Sequence, residues 1–188
     1  MTKNLALLCV VLMLFSLAAC TKDETPETEA FTAPTVENST LIFRTLPSAY
    51  ITDDPYFFDP SGYAEEQGYK SVVYNAESDT FTLEMDGERY NKLVSDLFTD
   101  ITTGVKELAQ SDLYPYIKDI QFNEDLSEFT LYVDRATYFA IEDYTPEYIA
   151  SFASMYLEIL ELEPKVSFTI VDAADGTSLG FMILPDEE

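Results

Sequence analysis

Residues 70–86 (KSVVYNAESDTFTLEMD) align without a gap on residues 118–134 (KDIQFNEDLSEFTLYVD), 48 positions later. Six of the seventeen positions are identical: Lys70/Lys118, Asn75/Asn123, Phe81/Phe129, Thr82/Thr130, Leu83/Leu131 and Asp86/Asp134. Chance supplies roughly one such identity, so the stretch reads as a duplicated unit. Val72/Ile120, Tyr74/Phe122 and Met85/Val133 are conservative pairs at alternating positions. Each copy therefore predicts strand, polar turn, strand, with Phe81, Leu83 and Met85 sharing one face of the first copy.

A helix is predicted after each copy. Over 87–110, Tyr90, Leu93, Val94, Leu97, Phe98, Ile101, Val105 and Leu108 recur at steps of three and four, the spacing of one helical face. Asp86 is placed to cap it. The second helix is predicted from Thr145 as cap, Pro146 at the first helical position and Glu147 in the first turn. Its stripe is Ile149, Phe152, Ala153, Tyr156, Ile159 and Leu160, and Pro164 stops it.

Outward from this frame, Thr40–Thr45 reads as a strand ended by Leu46-Pro47. Ser61–Gln67 reads as a short helix with Ser61 as cap and Gly68 as stop. A third hairpin, Val166–Val171 with Ser178–Leu184, turns at Asp175-Gly176. The expected class is α+β: an antiparallel sheet of hairpins with two main amphipathic helices on one face, a two-layer sandwich containing a duplicated hairpin-helix unit.

The chain begins with a different grammar. Lys3 precedes an apolar run from Leu5 to Phe15, too short to span a hydrocarbon core of about 20 helical residues. Leu17-Ala18-Ala19-Cys20 follows. This resembles the signal peptide and lipobox of bacterial lipoproteins. The resemblance implies a diacylglycerol thioether on Cys20, cleavage after Ala19, and anchoring at the extracytoplasmic face of the cell membrane. Two acyl chains hold a protein stably where one holds it marginally. The organisation expected is a leader over 1–19, the lipidated Cys20 with an acidic Thr/Glu/Pro tether over 20–38, and one domain over 39–188. A flexible segment of that length reaches about 20–25 Å, which keeps the domain close to the bilayer.

Composition removes whole classes of chemistry. There is no histidine, and Cys9 leaves with the leader, so Cys20 is the only cysteine of the mature chain. Ser-His-Asp and Cys-His nucleophilic sites and zinc sites of His or Cys type are excluded. No Gly-rich phosphate loop is present. With Lys3 gone, 9 of the 10 basic side chains face 35 acidic ones, a net charge near −26. Such a field repels nucleic acid and other polyanions, so no nucleic-acid partner is expected. Apolar residues make up 47% of the chain, enough for a sizeable core despite the charge.

Gly68-Tyr69-Lys70-Ser71-Val72, the Asn turn that follows, and Tyr114-Pro115-Tyr116-Ile117-Lys118-Asp119-Ile120 resemble stretches shared by small acidic lipoproteins of Gram-positive gut bacteria. The resemblance covers most of 40–184 and brings no catalytic residue with it.

Three groups of residues are candidates for chemistry. The acidic turns (Asn75, Glu77 and Asp79; Asn123, Glu124 and Asp125; Asp172 and Asp175) offer oxygen ligands for calcium, but none has EF-hand spacing, and Asn and Asp serve turns equally well. Local turn chemistry is the reading adopted, and no cofactor or metal is assigned. A glycosidase-type carboxylate pair has no distinguishing signal among 35 acidic residues, and the chain lacks tryptophan as a sugar platform. The aromatic run of Tyr50, Tyr56, Phe57, Phe58, Tyr63, Tyr69 and Tyr74 serves either a core or a contact surface. Tyr56, Phe57 and Phe58, between Pro55 and Pro60, form the expected partner contact. The function expected is a non-catalytic envelope binding or accessory module with a protein, peptide or glycan partner; a small hydrolase using carboxylates is the alternative.

Overall fold

The computed structural model describes residues 35–185. Cys20, the leader and the tether up to residue 34 lie outside them. The order is β1 (Leu41–Pro47), a 3-10 turn (Ser48–Tyr50), α1 (Pro60–Gln67), β2 (Ser71–Asn75), β3 (Thr80–Asp86), α2 (Gly87–Ala109), β4 (Ile117–Phe122), β5 (Glu128–Val133), α3 (Arg135–Tyr138), α4 (Thr145–Ile159), β6 (Val166–Asp172) and β7 (Ser178–Leu184). The protein is α+β.

The strands form two sheets rather than one. The first has the order β1-β3-β2 and is antiparallel. The second has the order β4-β5-β6-β7, and its β5–β6 pair is parallel. The expected single antiparallel sheet is thus corrected. A parallel neighbour needs a crossover of a dozen residues or more, and α3 and α4 supply it between β5 and β6.

The two hairpins share one register. Val72 pairs with Leu83, Tyr74 with Phe81 and Asn75 with Thr80; 48 positions on, Ile120 pairs with Leu131 and Phe122 with Phe129. In each hairpin the second strand is central in its sheet, and its alternate residues are buried. Phe81, Leu83 and Met85 of β3 and Phe129, Leu131 and Val133 of β5 belong to one hydrophobic cluster. α2 packs on β1, β3 and β4, and α4 on β1 and β6, so the helix pair roofs both sheets.

Capping follows from side-chain chemistry. Asp86 accepts from Arg89 N as predicted, and Asp134 accepts from Thr137 N at the matching position. α1 is capped by Asp59, not Ser61: its carboxylate accepts from Ser61 N and Gly62 N, with Pro60 opening the helix. Thr145 is the first residue of α4, and its amide donates to Asp143 Oδ1 at 3.0 Å. Gly68 ends α1 at φ 71°, a left-handed conformation that favours glycine. Gly87 is required by proximity, since a Cβ there would lie 2.0 Å from the Glu37 carbonyl oxygen. Asn91 accepts from Val36 N and donates to Val36 O, so the folded part reaches back to Val36.

Two arginines tie helix ends to their surroundings. Arg44 on β1 donates from Nε to the Ile159 carbonyl at the end of α4, and its guanidinium lies 4.9 Å from the Tyr90 ring centroid. Arg89 does the same for α1, donating to the Gln67 carbonyl and stacking on Tyr69. A cation at a helix C-terminus meets the negative end of the dipole, and each ring adds a cation–π contact.

Candidate functional site

The aromatic segment predicted for contact divides in two. Phe58 turns inward, its ring 5.1 Å from Phe81 and 5.2 Å from Tyr63. Tyr69 is buried, and Tyr50 and Tyr63 pack against the core. Tyr56 and Phe57 stay outside at 79% and 90% exposure. Tyr56 meets the edge of Tyr74 at 6.1 Å, whereas Phe57 has no ring partner among the described residues. Phe58 is thus partly buried against the core, while Tyr56 and Phe57 are exposed.

The acidic turns are occupied with themselves. Asn75 Oδ1 accepts from Glu77 N, Asn123 Oδ1 from Ser127 N and Glu128 N, Asp172 Oδ1 from Ala174 N, and Asp175 Oδ1 from Thr177 N. Asp125 accepts from Ser127, and Asp79 from the Tyr74 hydroxyl at 2.8 Å. That bond holds the Tyr74 phenol up to about 12, while bonds from Ser48 and Tyr74 hold the Asp79 carboxyl below its ordinary value. Among the described residues no group of three or more acidic side chains is placed to hold a metal.

The site that stands out lies where sequence periodicity was silent. Residues 139–144 leave the helical path after α3 and meet the connection from α2 to β4. Between them opens a cavity of about 560 Å³, walled by Tyr114, Tyr116, Asp143, Tyr144 and Tyr148 with Leu113 and Ile141 at its margin. Leu108 and Tyr148 also wall a second, apolar groove of about 240 Å³ between α2 and α4, which includes Leu97, Ile101, Gly104 and Phe152. Phe152, predicted for the buried stripe, stands at the edge of that groove, exposed and with its ring 5.1 Å from Tyr148. A Cβ at Gly104 would meet nothing within 4 Å, so the groove is open at this position.

Among the lining residues, Asp143 Oδ1 accepts from the Tyr116 hydroxyl at 2.6 Å and from Thr145 N at 3.0 Å. Burial, followed by the bond to Asp143, pushes the Tyr116 phenol up to about 12, so this hydroxyl keeps its proton and donates. Asp143 Oδ2 is buried without a hydrogen-bond partner among the described residues. Leaving a buried acceptor unpaired costs on the order of 1–3 kcal/mol. The nearby Tyr144 phenol is raised by its hydrogen bond to Glu142.

A third depression, about 460 Å³, is walled by Tyr50, Glu147, Ser154, Glu158 and Pro185. Its two carboxylates sit eleven residues apart on α4, about 16 Å along the axis at 1.5 Å per residue. Paired glycosidase carboxylates stand about 5–9.5 Å apart. Besides Val73 on β2, the remaining exposed apolar side chains on strands form two short rows, Leu41 and Phe43 on β1 and Phe181 and Ile183 on β7, whose cross-strand partners are Asp86, Glu84, Thr169 and Ser167.

Sequence reasoning missed Tyr114, Asp143, Tyr144 and Tyr148 because they fall in two loops and the first turn of α4. The one available signal was the cluster of tyrosines in 114–116 and 138–148. No protein-family model matches the chain and no curated protein or solved structure is significantly similar to it.

Proposed function

We propose that this is a lipid-anchored cell-envelope protein whose domain is a non-catalytic binding module, with the α2–α4 groove and the adjoining tyrosine cavity as its ligand seat. The observation that carries the reading is the cavity of about 560 Å³ walled by Tyr114, Tyr116, Tyr144 and Tyr148, which shares Leu108 and Tyr148 with the apolar groove. Pockets of a few hundred Å³ lined by aromatic side chains, with a few placed polar atoms, are the usual form of ligand sites. The wide spacing of Glu147 and Glu158 gives the hydrolase alternative no support in the neighbouring depression. Attachment through Cys20 rests on the lipobox.

Two experiments test this. Cys20→Ser should release the protein from the membrane fraction or leave it at precursor size; mature-size protein still in that fraction would remove the anchor. A photo-crosslinking side chain placed at Gly104, where there is open space, should capture an envelope component that the same group at Phe181 does not. Identical capture at both positions would dismiss the groove as the seat.

A further inference from the structure

β7 lies at the margin of its sheet with the composition of an interior strand. Of its seven residues (SLGFMIL), five are large and apolar and none is charged or proline. A strand with apolar side chains on both faces is ordinarily covered on both. On one face of β7, Phe181 and Ile183 stand opposite Thr169 and Ser167 at 64% and 43% exposure. On the other, Met182 and Leu184 pack against the core and are only partly buried. Among the described residues no strand pairs with the far side of β7, and no hydrogen bond outside the β6–β7 ladder involves Ser178–Leu184.

The other edge strands carry the features that keep a sheet from pairing with foreign strands. β1 carries Arg44 and ends at Pro47. β2 is five residues long and has α1 packed on it. β4 carries Lys118 and Asp119 and shifts register between Ile117 and Asp119. β7 shifts register only at its turnward end, opposite Ile170 and Val171, and Gly180–Leu184 pairs regularly. Such an edge offers a row of backbone donors and acceptors to an extended segment, and the flanking side chains decide which segment fits.

Charge decides between a second copy and a foreign strand. The Leu184 end of β7 continues in sequence through Pro185 into Asp186-Glu187-Glu188. Lys165, next to the Val166 that pairs with Leu184, forms an ion pair with Glu163 at 2.9 Å. The opposite end holds the turn acids Asp172 and Asp175; the Asp175 carboxyl is held low first by Thr177 and last by Arg135. Two copies pairing antiparallel through β7 would set the turn acids of each against the acidic stretch of the other, twice over, and like charges facing across a strand pair repel. A strand with a basic end gains where a copy loses.

We propose that β7 is a strand-addition edge whose partner is an extended, apolar segment of another protein preceded by Lys or Arg. It pairs antiparallel, the more stable mode per residue, so that its basic residues meet the acidic stretch after Leu184. This edge shares no residue with the α2–α4 groove or the tyrosine cavity, so it stands apart from the ligand seat proposed above.

The test is fluorescence polarisation of labelled peptides with the full-length protein in neutral detergent. The peptide KKVTVTVS should bind ten-fold or more tightly than EEVTVTVS, which reverses the flanking charge, and than KKVTPTVS, whose proline cannot donate to a ladder. Two further peptides carry a single N-methyl group, on the fifth or on the sixth residue. One should bind as KKVTVTVS does and the other ten-fold or more weakly, because successive N–H groups of a strand point to opposite sides. Phe181→Thr with Ile183→Thr, both at exposed positions, should weaken KKVTVTVS several-fold and leave the melting temperature unchanged. Hydrogen exchange over Ser178–Leu184 should slow when KKVTVTVS binds, which keeps the test decisive if that variant folds poorly. No binding of KKVTVTVS, equal affinity for EEVTVTVS, indifference to the proline and to both N-methyl groups, or protection over α2 and α4 in place of β7 overturns the proposal. So does a dimer, seen by light scattering, that the Phe181→Thr and Ile183→Thr pair abolishes, since a second copy would then be the occupant.

Discussion

The β2–β3 and β4–β5 hairpins are alike down to their pairing register, and the chain that follows them is not. After Asp86, α2 runs unbroken for 23 residues. After Asp134, with the same cap and with Tyr138 lying 48 positions after Tyr90, α3 ends after four. The path then detours through 139–144 before α4 begins. The regular half builds core, and the interruption builds the cavity. The difference shows what one break does beside two similar hairpins: strand pairing and cap chemistry match, and the interruption leaves a loop whose residues line a hollow.

The equivalence of the hairpins can be broken most severely at their central strands. Phe81→Ala and Phe129→Ala should each cost about 3–5 kcal/mol in urea unfolding, since both rings are buried and in the same cluster. A cost below about 1 kcal/mol for either would mean that its hairpin can repack alone, and the likeness would be one of sequence only.

A smaller effect separates the two helices where they meet. Phe98 of α2 faces Tyr156 of α4 at 6.0 Å, and the Tyr156 hydroxyl is fully buried without a hydrogen-bond partner among the described residues. Burial pushes that phenol up to about 12. Tyr156→Phe, which makes the pair alike, should therefore stabilise the protein by about 1 kcal/mol. A loss of that size would reveal an unseen partner for the hydroxyl.

The caps sharpen the contrast further. Asp86→Ala removes the acceptor at the start of a long helix and should cost about 1 kcal/mol. Asp134→Ala should cost less, because only one turn depends on it. The Asp134 carboxyl is nevertheless held below its ordinary value by the Thr137 hydroxyl and amide. Equal costs by chemical denaturation would show that α3 helps to hold the detour in place.

The smallest effect concerns the outer side of α4. Burial raises the Glu158 carboxyl above its ordinary value of 4.5. A raised folded-state value favours the protonated form, so its contribution is present below about pH 4.5 and lost as pH rises through the folded-state value. Glu158→Gln should raise the melting temperature slightly at pH 7 and not at pH 4. The change is small because solvent screens a half-buried carboxylate. An equal shift at both values would point to packing instead of charge.

Much of the local structure was legible before any coordinates. Alternation marked Phe81, Leu83 and Met85; three- and four-residue steps marked Tyr90, Val94, Ile101 and Val105; and Asp86 announced the start of α2. Those signals are local, arising from the side-chain period of a strand, of a helix, and from one carboxylate beside free amides. Asp143 was legible only in hindsight, as the residue two before Thr145 in an Asp-x-Thr-Pro run. Tyr144 and Tyr148 carried no period that set them apart from the core stripe.

The sequence alone thus determined the strands, the two main helices, the shared hairpin pattern and the chemistries that lack residues to perform them. Tertiary structure alone decided that the strands divide into two sheets, that β6 runs parallel to β5, and that Phe58 turns inward while Phe57 does not. It also brought Tyr114 and Tyr116 from one loop to Asp143 and Tyr144 from another. Each of these choices depends on contacts between residues distant in the chain, where many pairings satisfy the same local pattern and burial of the common core selects one.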